Sequence, residues 1–346
     1  MEPDRSIVIF GAGAVGGYLG GKLASGGASV TLVAREALVE AVQSRGLRIR
    51  ETRGDETSHP TVVASSANLP PAGVVVLTTR AYDVMASIPE IGQLLAPDGC
   101  LIAMQNGVGT EEFIGSALGR ERVIAGTLTA AVRALEPGVI TRAGNKGGIA
   151  LAALEGSVSG PVLDMFGSTG LQTVGIEDYR SLRWSKLLLN MLGAATSAIL
   201  DVNIDKVVGD GSVFKIEQQA FREAVRVMEG LGIQAARLPA YSVGLTRFAM
   251  QLPGPLPRLI VGGRLKSSRG GRSPMMRSDL IRGKTEVRWL NGAVADAAES
   301  IDLEAPVNTA LAELIEDLAA NPARREIFRD KPEALVAELR NREIQI

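Results

Sequence analysis

Gly11, Gly13 and Gly16 form a Gly-x-Gly-x-x-Gly run directly after the apolar, β-branched stretch IVIF at 7–10. This order suits one piece of chemistry, the holding of a pyrophosphate. The first glycine permits a tight turn, the second lets backbone approach the phosphates, and the third lets the next helix pack closely on the strand. Ala12, Ala14 and Val15 fill the intervening positions, where free backbone N–H groups and the positive end of a helix spanning about 14–25 face an anion. A strand before, a helix after and a second strand at 29–33 supply the context the motif needs; an ordinary Gly-rich turn is the alternative. About 20 residues beyond the glycines, an NAD-binding unit carries an acid for the ribose 2′-OH. Here VTLVAREAL places Arg35 in that region. A guanidinium can fork onto a 2′-phosphate and stack on adenine, which favours NADP(H). Glu36 is the opposing signal, and a solvated residue at the start of a helix is the bland reading of Arg35.

Two further strand ends offer ligand contacts, because ligands of open parallel sheets bind outside the carboxyl ends of the strands. VVVLTTRAYD presents Thr78, Thr79 and Arg80; LIAMQNGVG presents Gln105, Asn106 and Gly107. An Asn-Gly pair taken alone is only a turn. Further on, Trp184-x-Lys186-x-x-x-Asn190 puts an ammonium and an amide on one helix face. Such a lysine either snorkels to the surface or does chemistry. TEVRWLNG sets Glu286 in what reads as a helix rich in apolar residues, where a lone Glu is ordinarily solvated. The single histidine, His59, lies in polar GDETSHP, which reads as a loop beside a short strand. Its setting argues against a catalytic role, so a proton donor would be Lys, Tyr or a carboxylic acid.

These residues need a scaffold, and the pattern gives one. The first half alternates strands (further candidates at 74–77, 100–104 and 123–126) with helices (83–95, 110–118), predicting a Rossmann-type doubly wound sheet. Pro137-Gly138 between TAAVRAL and VITRA reads as an antiparallel hairpin, followed by a helix at 157–168 and a closing strand at 171–174. From Tyr179 the signals are helical, at 181–200, 212–231, 280–298 and 307–321. This predicts an N-terminal α/β domain over 1–178 and an all-helical domain over 179–346. The Pro-, Gly- and Arg-rich stretch 252–274 reads as a long loop. The chain has 346 residues, 46% hydrophobic and 22% charged, with formal net charge −1. That removes the electrostatic case for nucleic acid. No apolar run reaches a membrane span, no signal-peptide pattern opens the chain, and the single Cys100 excludes an internal disulfide or Cys-rich metal site. The expectation is a cytoplasmic enzyme without a metal.

The succession of GxGxxG, a post-strand NG, WxKLxxN, a DL…GKTEV…LNG segment and DLEAPVNTALAELI resembles the ketopantoate reductase family over nearly the whole chain. The resemblance implies a Rossmann domain, an all-α domain and a cleft between them, with NADPH-dependent reduction of 2-dehydropantoate to pantoate on the way to coenzyme A. It implies Lys186 as general acid, Glu286 holding the lysine or a substrate hydroxyl, Asn106 near the nicotinamide, Asn190 as a substrate donor, and a homodimer formed through the helical domain. This sequence departs from the family pattern at Arg80 (usually Lys), Ala194 (often a second Asn) and Arg288 (commonly acidic). Met275 stands where a substrate-binding serine is usual, which leaves Ser273 as the nearest hydroxyl. Arg80 or the basic residues of 264–272 could take a carboxylate instead. The alternatives are a related dehydrogenase for another oxo acid or an opine-type substrate, and a non-catalytic NADPH sensor.

Overall fold

The computed structural model describes residues 6–269 and 275–346. The chain divides into two compact units, one comprising residues up to 105, 109–183 and 236–241, the other 106–108, 184–235 and 242–346. The first is α/β and the second helical.

Among its described residues the α/β unit holds twelve strands: β1 (Ile7–Phe10), β2 (Val30–Val33), β3 (Leu47–Glu51), β4 (Gly54–Ser58), β5 (Thr61–Val63), β6 (Ala72–Leu77), β7 (Leu95–Ala103), β8 (Val123–Leu128), β9 (Ala131–Glu136), β10 (Val139–Ala143), β11 (Gly148–Ala153) and β12 (Gln172–Gly175). The main sheet runs β12-β11-β8-β7-β6-β1-β2-β5. It is parallel from β5 to β8, and β11 turns antiparallel against β8. Phe10 is level with Val33 and Leu77, and Leu77 with Ala103, so the residues after β1, β2, β6 and β7 emerge at one edge. Strand order reverses between β1 and β6, which is where such sheets bind ligands.

Helix α1 (Ala14–Ser25) carries Gly16, Gly17, Gly20 and Gly21. Glycine inside a helix costs about 1 kcal/mol relative to Ala, and here close approach on two sides explains it. A Cβ on Gly16 would come within 2.9 Å of Ile9, and one on Gly20 would run into Leu32 of the main sheet. A Cβ on Gly17 would lie 2.5 Å from Ile140, and one on Gly21 2.8 Å from Ile49. Those two belong to a second sheet, ordered β4-β3-β10-β9. The predicted hairpin forms as β9 and β10 but sits in this second layer. GDETS, read as loop, is β4, paired antiparallel with β3; His59 follows it, exposed. The remaining helices of this unit are α2 (Glu36–Arg45), α3 (Val84–Leu94), α4 (Thr110–Leu118) and α5 (Gly160–Gly167).

Helix α6 (Tyr179–Met191) leads from the first unit into the second, which continues with α7 (Ala194–Leu200), α8 (Ile204–Gly209), α9 (Gly211–Gly230), α10 (Val243–Gln251), α11 (Leu256–Arg269), α12 (Met275–Ile281), α13 (Asn291–Glu299), α14 (Pro306–Ala320), α15 (Arg325–Phe328) and α16 (Pro332–Asn341). Its core includes Leu187, Leu188, Val213, Phe221, Val307 and Leu339, all fully or almost fully buried. The predicted helix over 181–200 breaks at Gly193, whose φ is +73°. Of the stretch 252–274, residues 270–274 lie outside the described residues, and the described part is not a continuous loop, since α11 occupies most of it. Pro257 stands in the first turn of that helix, where a missing N–H breaks no intrahelical bond. The helix expected over 280–298 is also interrupted. Gly283 adopts a φ of +71°, and helix resumes only at Asn291. Among the described residues no helix is long and apolar enough to cross a membrane.

Candidate active site

The phosphate loop is fixed from three directions. Gly11 and Ala12 donate backbone N–H groups to Val33 O at 3.1 and 2.9 Å. Gly11 takes φ +91°, a left-handed conformation that glycine adopts without a steric cost. Thr78 Oγ1 donates to Gly11 O at 2.8 Å, pinning the end of β6 to the loop. Gly13 caps α1 with no side-chain hydrogen bond and no acid in the first turn. A Cβ there would have only Gly11 O near it, at 3.9 Å. The helix therefore presents its first N–H groups, at Ala14, Val15 and Gly16, beside open space, which is the cradle a pyrophosphate requires.

The neighbouring strand ends add polar groups. Gln105 donates its amide to Leu77 O and Thr79 O at 3.0 and 3.2 Å, tying the end of β7 to that of β6. Gln105 Oε1 and Thr79 Oγ1 are buried and have no protein partner. Orphaned polar atoms beside the phosphate loop fit a bound dinucleotide that would satisfy them. Arg80 is half-buried at the cap of a short 3₁₀ turn. Arg35 is exposed and caps α2, its carbonyl accepting from Leu38 and Val39.

The helical unit carries the other candidates. Lys186 and Asn190, half-buried, lie one turn apart on α6. Asn190 Nδ2 donates to Asn106 Oδ1 at 2.8 Å. Asn106 belongs to a three-residue excursion, 106–108, that packs with this unit. Val108 N donates to Trp289 O at 2.9 Å, and Trp289 N donates to Glu286 O at 3.0 Å. Gly107 is held beneath that segment, since a Cβ would fall 2.6 Å from Trp289 Cβ. Asn106, Asn190 and the backbone of Glu286 thus share one bonded chain. Glu286 is buried and caps a 3₁₀ turn, so it is not in the helix its sequence suggested. After the left-handed Gly283, the chain passes through that turn before helix resumes. Ala194, buried, opens α7, and Met275, exposed, opens α12. Ser273 lies outside the described residues.

Arg183, one turn before Lys186, was not singled out by sequence. Its side chain is 2% exposed and pairs with Glu111, also 2% exposed. Its guanidinium donates to Gln105 O, Gly126 O and Ala103 O at 2.6, 3.0 and 2.7 Å. The bare sequence of an Arg on a helix gives no sign of this. Removing one member of such a buried pair leaves an uncompensated charge.

The family model for ketopantoate reductase PanE/ApbA matches residues 7–156, and its C-terminal counterpart matches 178–319. The chain belongs to the ketopantoate reductase family. Ketopantoate reductases are nicotinamide-dependent oxidoreductases acting on CH–OH groups, and the phosphate loop fits that chemistry. A 2-dehydropantoate 2-reductase of Halobacterium salinarum is 28% identical over 316 residues, covering 89% of this chain and 97% of its own. The crystal structure of a PanE/ApbA family ketopantoate reductase from Ralstonia eutropha superposes with TM-score 0.76 at 24% identity, covering 91% of this chain and all of that one. A ternary structure of D-mandelate dehydrogenase with NADH and anilino(oxo)acetate gives TM-score 0.75 at 21% identity, covering 91% and 98%. At those identities the two structures share the fold.

Proposed function

We propose that the protein reduces a 2-oxo acid to a 2-hydroxy acid with NADPH, and that 2-dehydropantoate is the substrate and pantoate the product. The observation that carries this is the bonded chain joining Asn190, Asn106 and the Glu286 segment on the unit that also bears Lys186. When bound, NADPH supplies the hydride that reaches C2 of the oxo acid. Lys186 gives a proton to the carbonyl oxygen as negative charge develops there, and its cation stabilises that charge. Glu286 holds the lysine or a substrate hydroxyl. Asn190 donates to substrate, and its bond to Asn106 fixes the orientation of both amides. Ala12, Ala14 and Val15, between the three glycines, line the phosphate cradle. Arg35, exposed at the cap of α2, is assigned to the 2′-phosphate, while Thr79 and Arg80 contact the cofactor. Ser273 is assigned to substrate on its sequence position alone, and the domain division at 178/179 belongs to the same reading.

The homodimer belongs to it as well. Leu245, Phe248 and Leu259 on α10 and α11 are 56, 65 and 69% exposed, a cost that a second copy would relieve. Light scattering checks it. A cytoplasmic setting rests on the assigned biosynthetic role alone.

The test is NADPH oxidation by the purified protein with 2-dehydropantoate, beside a panel of other 2-oxo acids and a substrate-free control. Turnover of 2-dehydropantoate above all others supports the full reading. Turnover of a different oxo acid keeps the chemistry and overturns the substrate, as the apolar Ala194 and Met275 would allow. Binding of NADPH without turnover of any oxo acid overturns the enzyme.

A further inference from the structure

The α/β unit contains a second concave site with a charge pattern of its own. A cavity of about 480 Å³ is lined by Lys22 on α1, Glu51 at the end of β3, Arg53 beyond it, Arg142 on β10 and Lys146 in the loop before β11. It is separate from the phosphate loop. Lys22 is in the last turn of α1, whereas the loop caps its first; at 1.5 Å per residue these positions are about 13 Å apart along the axis.

Much of the lining is already neutralised. Glu51 accepts a hydrogen bond from Tyr18 Oη at 2.6 Å and pairs with Arg142 at 3.3 Å. Lys22 pairs with Glu56 at 2.7 Å. Arg142 also donates to the carbonyls of Asn145 and Lys146 at 3.1 and 3.5 Å, so it fixes the loop that carries Lys146. Its Nε is buried without a protein acceptor. Arg53 and Lys146 remain, both exposed, and neither side chain has a partner among the described residues. The cavity therefore carries two positive charges beyond its own ion pairs, in a chain whose formal net charge is −1.

We infer that this cavity binds a small compound carrying a dianionic phosphate group, a phosphate monoester. Its volume is that of a small-molecule site, too small for a macromolecular groove. The surplus of two charges matches a dianion. A planar guanidinium can take two phosphate oxygens, and the ammonium a third. Local field focusing in a concave site raises the concentration of such an anion, and salt screens the effect.

Inorganic phosphate, mostly dianionic at about pH 7.5, is the probe, titrated by calorimetry with hydrogen–deuterium exchange to locate it. The expected result is slowed exchange at 142–148 and 169–172, weakened by added salt. Any protection at 11–18 reports the phosphate loop and is scored apart. In R53A/K146A the affinity assigned to this cavity should fall roughly ten-fold or more, while R53K/K146R retains it. Both residues are exposed, so the fold should survive either pair of changes. Protection confined to 11–18, or unchanged protection at 142–148 in R53A/K146A, overturns the inference. Equal binding of malonate overturns the phosphate assignment.

Discussion

The phosphate loop and the Lys186 region differ in how their parts are brought together. At the loop, Gly11, Gly13 and Gly16 lie within six residues, and each has a reason found beside it: a left-handed turn, open space, and contact with Ile9. Around Lys186, the groups arrive from 106–108, 186–190 and 286–289, joined by hydrogen bonds that span many residues. The first region is a motif and the second is a tertiary assembly. The first should tolerate change according to local geometry, the second according to which long-range bond is lost.

The largest effect should come from Lys186→Ala. General acid catalysis contributes about 10²–10⁴-fold, so kcat should fall on the order of 10³-fold while NADPH affinity stays close to that of the parent. Steady-state kinetics and fluorescence titration of NADPH measure the two separately. Turnover within a few-fold of the parent would remove Lys186 from the chemistry and leave the comparison with only one functional region.

Gly20→Ala and Gly13→Ala separate packing from ligand approach within α1. A Cβ at Gly20 runs into buried Leu32 and comes within 3.2 Å of Ile9. Overpacking costs about 1–3 kcal/mol and the gain in helix propensity returns about 1, so a net loss of up to about 2 kcal/mol is expected by denaturant titration. At Gly13 the protein leaves room for a Cβ, with only Gly11 O near it, at 3.9 Å. Gly13→Ala should hold its melting midpoint yet weaken NADPH roughly ten-fold, because the methyl occupies the pyrophosphate's approach. Equal loss of stability in both variants would show that the loop is braced rather than open.

The same contrast explains what could be read in the sequence. The strand–loop–helix at 7–25 was legible because every requirement was local. The family resemblance supplied Asn106, Asn190 and Glu286 together, but nothing in the spacing showed that Trp289 bridges Val108 to Glu286. Glu286 was misplaced in a helix because TEVRWLNG has helical composition, whereas the left-handed Gly283 and the bond from Lys284 N to Asp279 O end α12 before it. Residues 252–274 misled in the opposite direction, since Pro257 opens a helix as readily as it breaks one. The second sheet was missed because β4 is mostly polar and its partner β3 alternates charged and apolar residues, a pattern whose pairing with β10 is set only by the tertiary fold.

A smaller effect tests the cofactor end of the comparison. Arg35 is exposed and caps α2 through its backbone, so truncation should cost little stability. If it reads the 2′-phosphate, Arg35→Ala should raise KM for NADPH roughly ten-fold, the worth of a charge-assisted pair, and leave that for NADH unchanged. Parallel shifts for both cofactors would reassign the guanidinium to the adenine face or to solvent.

The smallest effect asks whether legibility follows the unit or the locality. Asp210, at the start of α9 in the helical unit, caps that helix by accepting from Ser212 N and Val213 N at 2.8 and 3.0 Å. Asp210→Ala should therefore cost about 1 kcal/mol, measured as a shift in the denaturation midpoint. Burial pushes its carboxyl up, but the Ser212 hydroxyl and the two backbone N–H groups together pull it below its ordinary value. A carboxyl lowered by folding stabilises the native state at pH above its unfolded value, and that contribution is lost as pH falls through the folded one. The gap between parent and Asp210→Ala should accordingly be full near neutrality and close in acid below the ordinary 3.8. Asp210→Asn keeps the cap, because Asn serves nearly as well at this position, but loses that acid dependence. If the alanine variant matches the parent at neutral pH, α9 is held by its packed face alone, and local motifs are informative only on the cofactor side.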